Sequence, residues 1–371
     1  MGKPHPILLE VAAGREIDPA KVTAAVIDSA VDHRMVGLLA AAADSDDVPK
    51  ESRLRLEALD MSISAYQQGL VGIAANVHSR LTEAGVDHLF FKGLIEAHRS
   101  FPHPSGRPFT DIDLSIAPEV SLAAAASALA PDHPHLGGLD ELVAGGHITA
   151  IGIQVNGFPV DLHTEPLRVG PRLQNPQLWW SRTITVEIPG VGAVRALDRE
   201  ASLVAFLLHQ ARDRFRYLLG AAEYRLRLNG EIDWAKVRHL AEAEGVWEQV
   251  AVSAESLASI LGIPSPVEPP RNWRTSTWRR LWAPPVQLPG PQGRLRHNRR
   301  GVWLMPLLAR GRTTDSLRWI ARSLAPPDGA LRIRNPHDRG PYLWRLLGAR
   351  IFRVSERRLT SLLGSRHRST Q

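Results

Sequence analysis

Apolar and polar positions follow two different periods along the chain. Up to about residue 60 the apolar residues recur at helical spacing: Ala24, Val26, Ile27, Ala30 and Val31, then Met35, Leu38 and Leu39. The polar stretch 44–52, with Pro49 inside it, predicts a loop. A longer helix is expected over about 54–84, closed by Gly85. The period then changes. Residues 87–93 (DHLFFKG) form a short apolar run ending at Gly, which predicts a buried strand. A short helix follows over 94–101 and a loop rich in Pro and Gly over 103–110. Residues 111–116 (DIDLSI) alternate and predict a half-buried strand. An Ala-rich helix is expected over 120–130. Segments 147–155 and 158–164 flank Asn156-Gly157, the dipeptide most favourable to a two-residue hairpin turn. Helical spacing returns after Asp198, an expected N-cap, with Leu203, Val204, Leu207, Leu208, Ala211, Phe215 and Leu218 on one stripe. Two or three more helices reach Leu261, and the Pro-rich stretch 263–273 ends this half.

Strands and helices mix only in the middle of the chain, so the expected class is α+β. Four regions follow: helical over 1–84, mixed over 85–196, helical over 197–265, and a basic region rich in Arg, Trp and Pro over 266–371. With 371 residues, 44% hydrophobic and 22% charged, the composition is globular. There is no Cys, which excludes disulfide scaffolds, thiolate metal sites and Cys nucleophiles. No apolar run approaches the ~20 residues needed to span a bilayer, and the first residues lack a signal-peptide pattern, so a cytoplasmic protein is expected. The signatures of P-loop, dinucleotide-binding, zincin and α/β-hydrolase enzymes are missing. His133 with His135, and His98 with His103, lie in or beside loops without a third ligand and read as solvated.

Charge divides the chain. From Arg271 onward there are 22 Arg, no Lys and four acidic residues, a balance of +18, which leaves −11 for the first 270 residues. Trp273, Trp278, Trp282, Trp303, Trp319 and Trp344 are interleaved with these Arg. Arg with aromatics suits a nucleic acid or an anionic membrane surface. Docking of the basic arm on the acidic part of the same chain is the competing expectation.

The candidate chemistry centres on Asp111 and Asp113. On a strand, residues two apart share a face, so both carboxylates would project together with Ile112, Leu114 and Ile116 behind them. Two carboxylates at that spacing can hold a hard cation such as Mg²⁺ together with substrate phosphates. A second Asp-x-Asp pair, Asp44 and Asp46, lies in a polar loop without apolar alternation and is expected to be inert. Asp161, in VDLHT, offers a third carboxylate on another strand, the combination a two-metal phosphoryl-transfer site needs. Lys92-Gly93 ends one strand and opens a helix, so a compact ammonium and helix-start amides would meet phosphate there. The chain prefers Arg to Lys by 40 to 5, which makes this Lys informative; the plainer reading is a snorkelling strand-end side chain. Arg107 stands in the loop just before the Asp pair, as a phosphate contact or an ordinary loop Arg. His163 shares a face with Asp161 and either orients it, touches nucleotide, or is a buried structural His.

The run FFKGLIEAHRSFPHPSGRPFTDIDLSI (90–116) resembles the core of an uncharacterised bacterial nucleotidyltransferase family within the DNA polymerase β-like superfamily. The resemblance rests on Lys92-Gly93, Arg107-Pro108, the strand 111–114 and Asp161-Leu162-His163 in that order. It extends through the helical lead-in and the stretch 207–234, covering most of 20–265 and weakly the region after 315. Lys-Gly replaces the superfamily's usual Gly-Ser, Glu223 stands where the family often has Asp, and Ser115 where an aliphatic residue is more usual. The resemblance implies a small mixed sheet flanked by helical regions, with 85–196 as the nucleotidyltransferase core. It implies transfer of a nucleoside monophosphate from an NTP to an unknown acceptor (small molecule, peptide, saccharide or RNA), with pyrophosphate released. Asp111, Asp113 and Asp161 would hold Mg²⁺ or Mn²⁺, while Lys92, Gly93, Arg107 and His163 would contact the nucleotide. Two other readings stand beside it: a non-catalytic nucleotide- or nucleic-acid-binding protein on the same fold, and a surface binder whose function lies in the basic C-terminal region.

Overall fold

The computed structural model describes residues 4–133, 136–167, 173–213 and 215–281, and residues 314, 317 and 318. Four helices lead in: α1 (Pro6–Ala13), α2 (Ala24–His33), α3 (Val36–Ala42) and α4 (Lys50–Glu83). The mixed region carries β1 (His88–Phe91), α5 (Gly93–Arg99), β2 (Ile112–Ile116), α6 (Leu122–Leu129), α7 (Leu139–Ala144), β3 (Ala150–Val155), β4 (Phe158–His163), α8 (Pro176–Trp180), β5 (Thr183–Ile188) and β6 (Gly192–Leu197). Helices α9 (Arg199–Asp213), α10 (Leu218–Leu228), α11 (Trp234–Ala243), α12 (Trp247–Leu261) and α13 (Trp273–Leu281) follow. The class is α+β, as the pattern predicts.

Local signals placed most boundaries. Helix α4 closes on Gly85 at φ +67°, with Gly85 N–H donating to Thr82 O and Val86 N–H to Leu81 O. The β3–β4 hairpin turns on Asn156 and Gly157, at φ +50° and +83°. Asp198 caps α9, its Oδ1 accepting from Ala201 N–H at 2.8 Å. The stripe expected to run unbroken to Leu218 is interrupted: α9 ends at Asp213, Phe215 turns at φ +50°, and Leu218 opens α10, though both apolar side chains remain buried.

The six strands form one mixed sheet in the order β3-β4-β2-β1-β6-β5. β1 pairs antiparallel with β2 and parallel with β6, and β2 pairs parallel with β4. The β5–β6 hairpin is an addition to the strands read from the sequence. Side chains alternate between two cores. Phe90, Ile112, Leu114, Val160 and Leu162 pack with α4 and α6. Leu89, Phe91 and Leu197 face a second core built jointly by α1–α3 and the helices after β6. β2 is therefore covered on both faces, including Asp113 and Ser115, and not half-buried as its alternation suggests. Its polar residues point into the seam between the sheet and the helical half.

Candidate active site

The site begins with a register. In the parallel pair β2–β4, Asp113 stands opposite Asp161 and Ser115 opposite His163. On the other side of β2, Phe91 stands opposite Asp113, so Lys92 emerges beside the same carboxylate. Lys92 has φ +57° and ψ −123°, a conformation that costs a residue with a side chain about 1–3 kcal/mol. That turn brings its ammonium onto Oδ1 of Asp113. The Nε2 atom of His163 lies 3.1 Å from the same oxygen, and the His163 ring meets Phe91 edge-on at 5.1 Å. His163 is 1% exposed, so it meets Asp113 from inside the protein.

Burial alone would raise the pKa of Asp113, but the Lys92 ammonium and the His163 hydrogen bond outweigh it and hold the carboxyl well below the usual range. Asp111 lies one residue before β2, not on it. Burial first, then the charges of Asp113 and Asp161, push its pKa up to about 6, against the pull of Lys92 and Arg107. The three carboxylates thus share one field at one end of the sheet. One ligand atom each from Asp113, Asp161 and His163 can be chosen so that all lie within 4.8 Å of one another, a spacing at which a single cation can be held. It is the one such group among the described residues.

Gly93 opens α5, a helix of seven residues, and its missing side chain is used in packing: a Cβ there would stand 2.5 Å from Cβ of Phe109. Arg107 is fixed from two sides. Gln67 Nε2 donates to the carbonyl of Arg107 at 2.9 Å, and the Arg107 Nε donates to Glu223 Oε2 at 2.9 Å. Glu223 also accepts from Arg227, whose Nη1 donates to Ser202 and lies 3.4 Å from Glu96. Glu96, on α5, is fully buried and further bound by Arg99, Ser100 and Ser202. This chain of charges joins the motif loop, α5 and the helical half. Of its members only Arg107 and Glu223 stand out in the sequence; Glu96 and Arg227 carry no local signal, because their partners are distant along the chain.

Asp44 and Asp46 lie away from all this, in a loop where Asp46 pairs with Arg53 at 2.7 Å. His103 is exposed and His98 half-buried, while His135 lies outside the described residues.

The match to known families agrees with this geometry in extent. A family model described as uncharacterised nucleotidyltransferase matches residues 17–262. The chain belongs to that family. Membership makes nucleotidyl transfer the class of activity, with an NTP as the implied substrate. The matched span of this nucleotidyltransferase takes in the core under α4 and α6, most of the other core and every residue of the charge chain. No curated protein matches it. No helix among its described residues is long and apolar enough to cross a membrane.

Proposed function

We propose that the protein moves a nucleoside monophosphate from an NTP such as ATP to an acceptor nucleophile, releasing pyrophosphate, at a site of the polymerase β-like type. The observation that carries this is the parallel register that sets Asp113 beside Asp161, with Asp111 two residues before Asp113 and Lys92 at their rim. The donor set fits Mg²⁺ or Mn²⁺: carboxylate oxygens are the ligands these ions prefer, Asp113 and Asp161 come within ligating distance of one another together with His163, and Asp111 stands in the electrostatic field of both carboxylates. Asp111 and Asp113 would hold the ion that accompanies the triphosphate, and Asp161 would share a second with them. Bound there, the metals supply charge neutralisation at the transferred phosphoryl group and lower the pKa of the acceptor hydroxyl.

The chain's own groups do the rest by position and charge. Lys92, now on Asp113, would be free to turn to a phosphate oxygen where that carboxylate holds a cation. Arg107, braced by Gln67 and Glu223, presents its remaining N–H groups to the same phosphates. His163 keeps Asp113 oriented from within and is placed to complete the donor set, and the Gly93 amide lies next to Lys92 at the phosphate side. The acceptor is a small molecule, peptide, saccharide or RNA; the bacterial setting follows the family resemblance and the cytoplasmic one the sequence pattern.

The test incubates the purified full chain with each labelled NTP, Mg²⁺ and a cell extract as acceptor source. Label transfer with pyrophosphate release, abolished by EDTA, is the expected result. Absence of both for every NTP overturns the reading and leaves the non-catalytic binding protein in its place.

A further inference from the structure

The carboxylates stand on β2 and beside it, and on β4, while the sheet order places Lys92, at the end of β1, between them and β6. A narrow cleft opens beside Lys92, reaching Leu197 at the end of β6 and bounded on the other side by Arg107 and Pro166. One wall is the sheet, with Phe91, Lys92 and Leu197. The other is a single face of α9, where Ser202, Phe206, His209 and Arg212 recur at helical spacing. Ser202 and Phe206 make the floor: Ser202 bonds Glu96 and Arg227, and the Arg227 guanidinium lies 4.6 Å from the Phe206 ring centre. His209 and Arg212 lie further out and are partly exposed, at 32% and 30%. Asp213 steadies both, 3.2 Å from His209 Nε2 and 3.4 Å from Arg212 Nε. Among the described residues that long contact is the one ion pair Arg212 makes, which leaves its terminal N–H groups for another acceptor.

We propose that α9 forms the far wall of the donor site, with Arg212 and His209 gripping the terminal phosphates of the triphosphate beyond Lys92. The inference rests on the nucleotidyl-transfer reading above and names residues that reading does not use. Its logic is directional. The reacting phosphorus must lie near the carboxylates, so the polyphosphate tail runs toward β4 or toward β6. The β4 side carries Asp161, a like charge. The β6 side carries Lys92 and Arg212, and a guanidinium is well shaped for phosphate oxygens. Burial pushes the His209 imidazole toward neutrality, with Asp213 and Asp113 opposing and Lys92 and Arg212 reinforcing. A neutral ring has one N–H, held by Asp213 in the free protein; exchanging that contact for a phosphate oxygen lets it donate without repelling the two cations beside it.

The test is calorimetric titration of the full chain in Mg²⁺ with inorganic tripolyphosphate, each NTP and the matching monophosphates. Both side chains are partly exposed at the outer part of the cleft, and a thermal melt confirms that the variants fold. Arg212→Ala should weaken tripolyphosphate and NTP binding about tenfold, His209→Ala severalfold, and neither should change monophosphate binding; Arg212→Lys should recover part of the loss. If both alanine variants bind tripolyphosphate and NTP like the parent, or lose monophosphate equally, the inference fails while NTP turnover by the parent keeps the broader reading alive. If the parent neither binds nor turns over any NTP, both fall together.

Discussion

Glu223 holds two guanidinium groups at once, Arg107 from the motif loop and Arg227 from its own helix, while itself 2% exposed. Replacing it with Gln preserves shape but leaves both cations in the seam without their counter-charge. Breaking a buried pair in this way costs about 3–5 kcal/mol, read as a lowered urea midpoint. Glu223→Asp, which keeps the charge, should recover part of the loss, and NTP turnover should fall further in Gln than in Asp because Arg107 loses its brace. Asp111, Asp113, Asp161, Lys92 and Arg107 are legible in the sequence because each stands at a fixed place in a short strand or loop pattern. Glu223 appears there only as a departure from the family's Asp, and His209 and Arg212 not at all. What marks them is the partner brought to them by folding, which no local window contains.

At the scale of elements, β1, α5 and β2 form a tight unit whose turn admits no side chain at its second position. A methyl group at Gly93 would meet the Phe109 Cβ at 2.5 Å, a contact between two backbone-anchored atoms that cannot swing away. Gly93→Ala should therefore cost about 1–3 kcal/mol through overpacking and displace Lys92 from Asp113. A thermal melt and NTP turnover check the two effects separately; an unchanged melt would show that the turn can shift freely. The β3–β4 hairpin was readable from Asn156-Gly157. The β5–β6 hairpin, TITVEI and GAVRAL around Pro189-Gly190, lacks an Asn-Gly turn and shows a weaker signal. The full burial of β2 was not readable, since its second cover comes from helices that begin some eighty residues later.

At the scale of the whole molecule, the N-terminal helices and the helices after β6 share one core, and the sheet closes against it through the buried charges around Glu96. Burial alone would raise the Glu96 pKa, yet Arg227, Arg99 and two serine hydroxyls bring it down to about 2 from an ordinary 4.5. A carboxyl depressed on folding stabilises the native state above its unfolded pKa and loses that contribution as pH falls toward the folded value. The parent should thus lose roughly 3 kcal/mol between about pH 5 and pH 2 from this group alone. Glu96→Gln should be less stable at pH 7 and show a shallower fall in acid. Denaturant midpoints across that range decide it, and parallel curves for the two proteins would remove Glu96 from its linking role. Beyond the Pro-rich stretch, α13 packs on α12: Trp278 is fully buried and Arg279 pairs with Glu255 at 2.5 Å. Arg279 is thus paired within the chain, and Trp278 is removed from any outside partner, a correction to its place among the interleaved Trp. Trp273 is exposed, and Trp282, Trp303, Trp319 and Trp344 lie outside the described residues.

Turnover by carboxylate variants tests most directly whether the chemistry of the whole molecule lies at this one end of its sheet. Pyrophosphate release from NTP and Mg²⁺ should be measured for the parent, Asp161→Asn, Asp113→Asn and the double change of Asp44 and Asp46 to Asn, each first shown to be folded. The account predicts loss of at least a hundredfold in Asp161→Asn and Asp113→Asn, as removal of a metal ligand costs several kcal/mol of transition-state stabilisation. The loop pair should remain within about twofold of the parent, because surface changes are near-neutral. Parent-like turnover by a folded Asp161→Asn or Asp113→Asn protein, or collapse of activity in the loop variant, would contradict it.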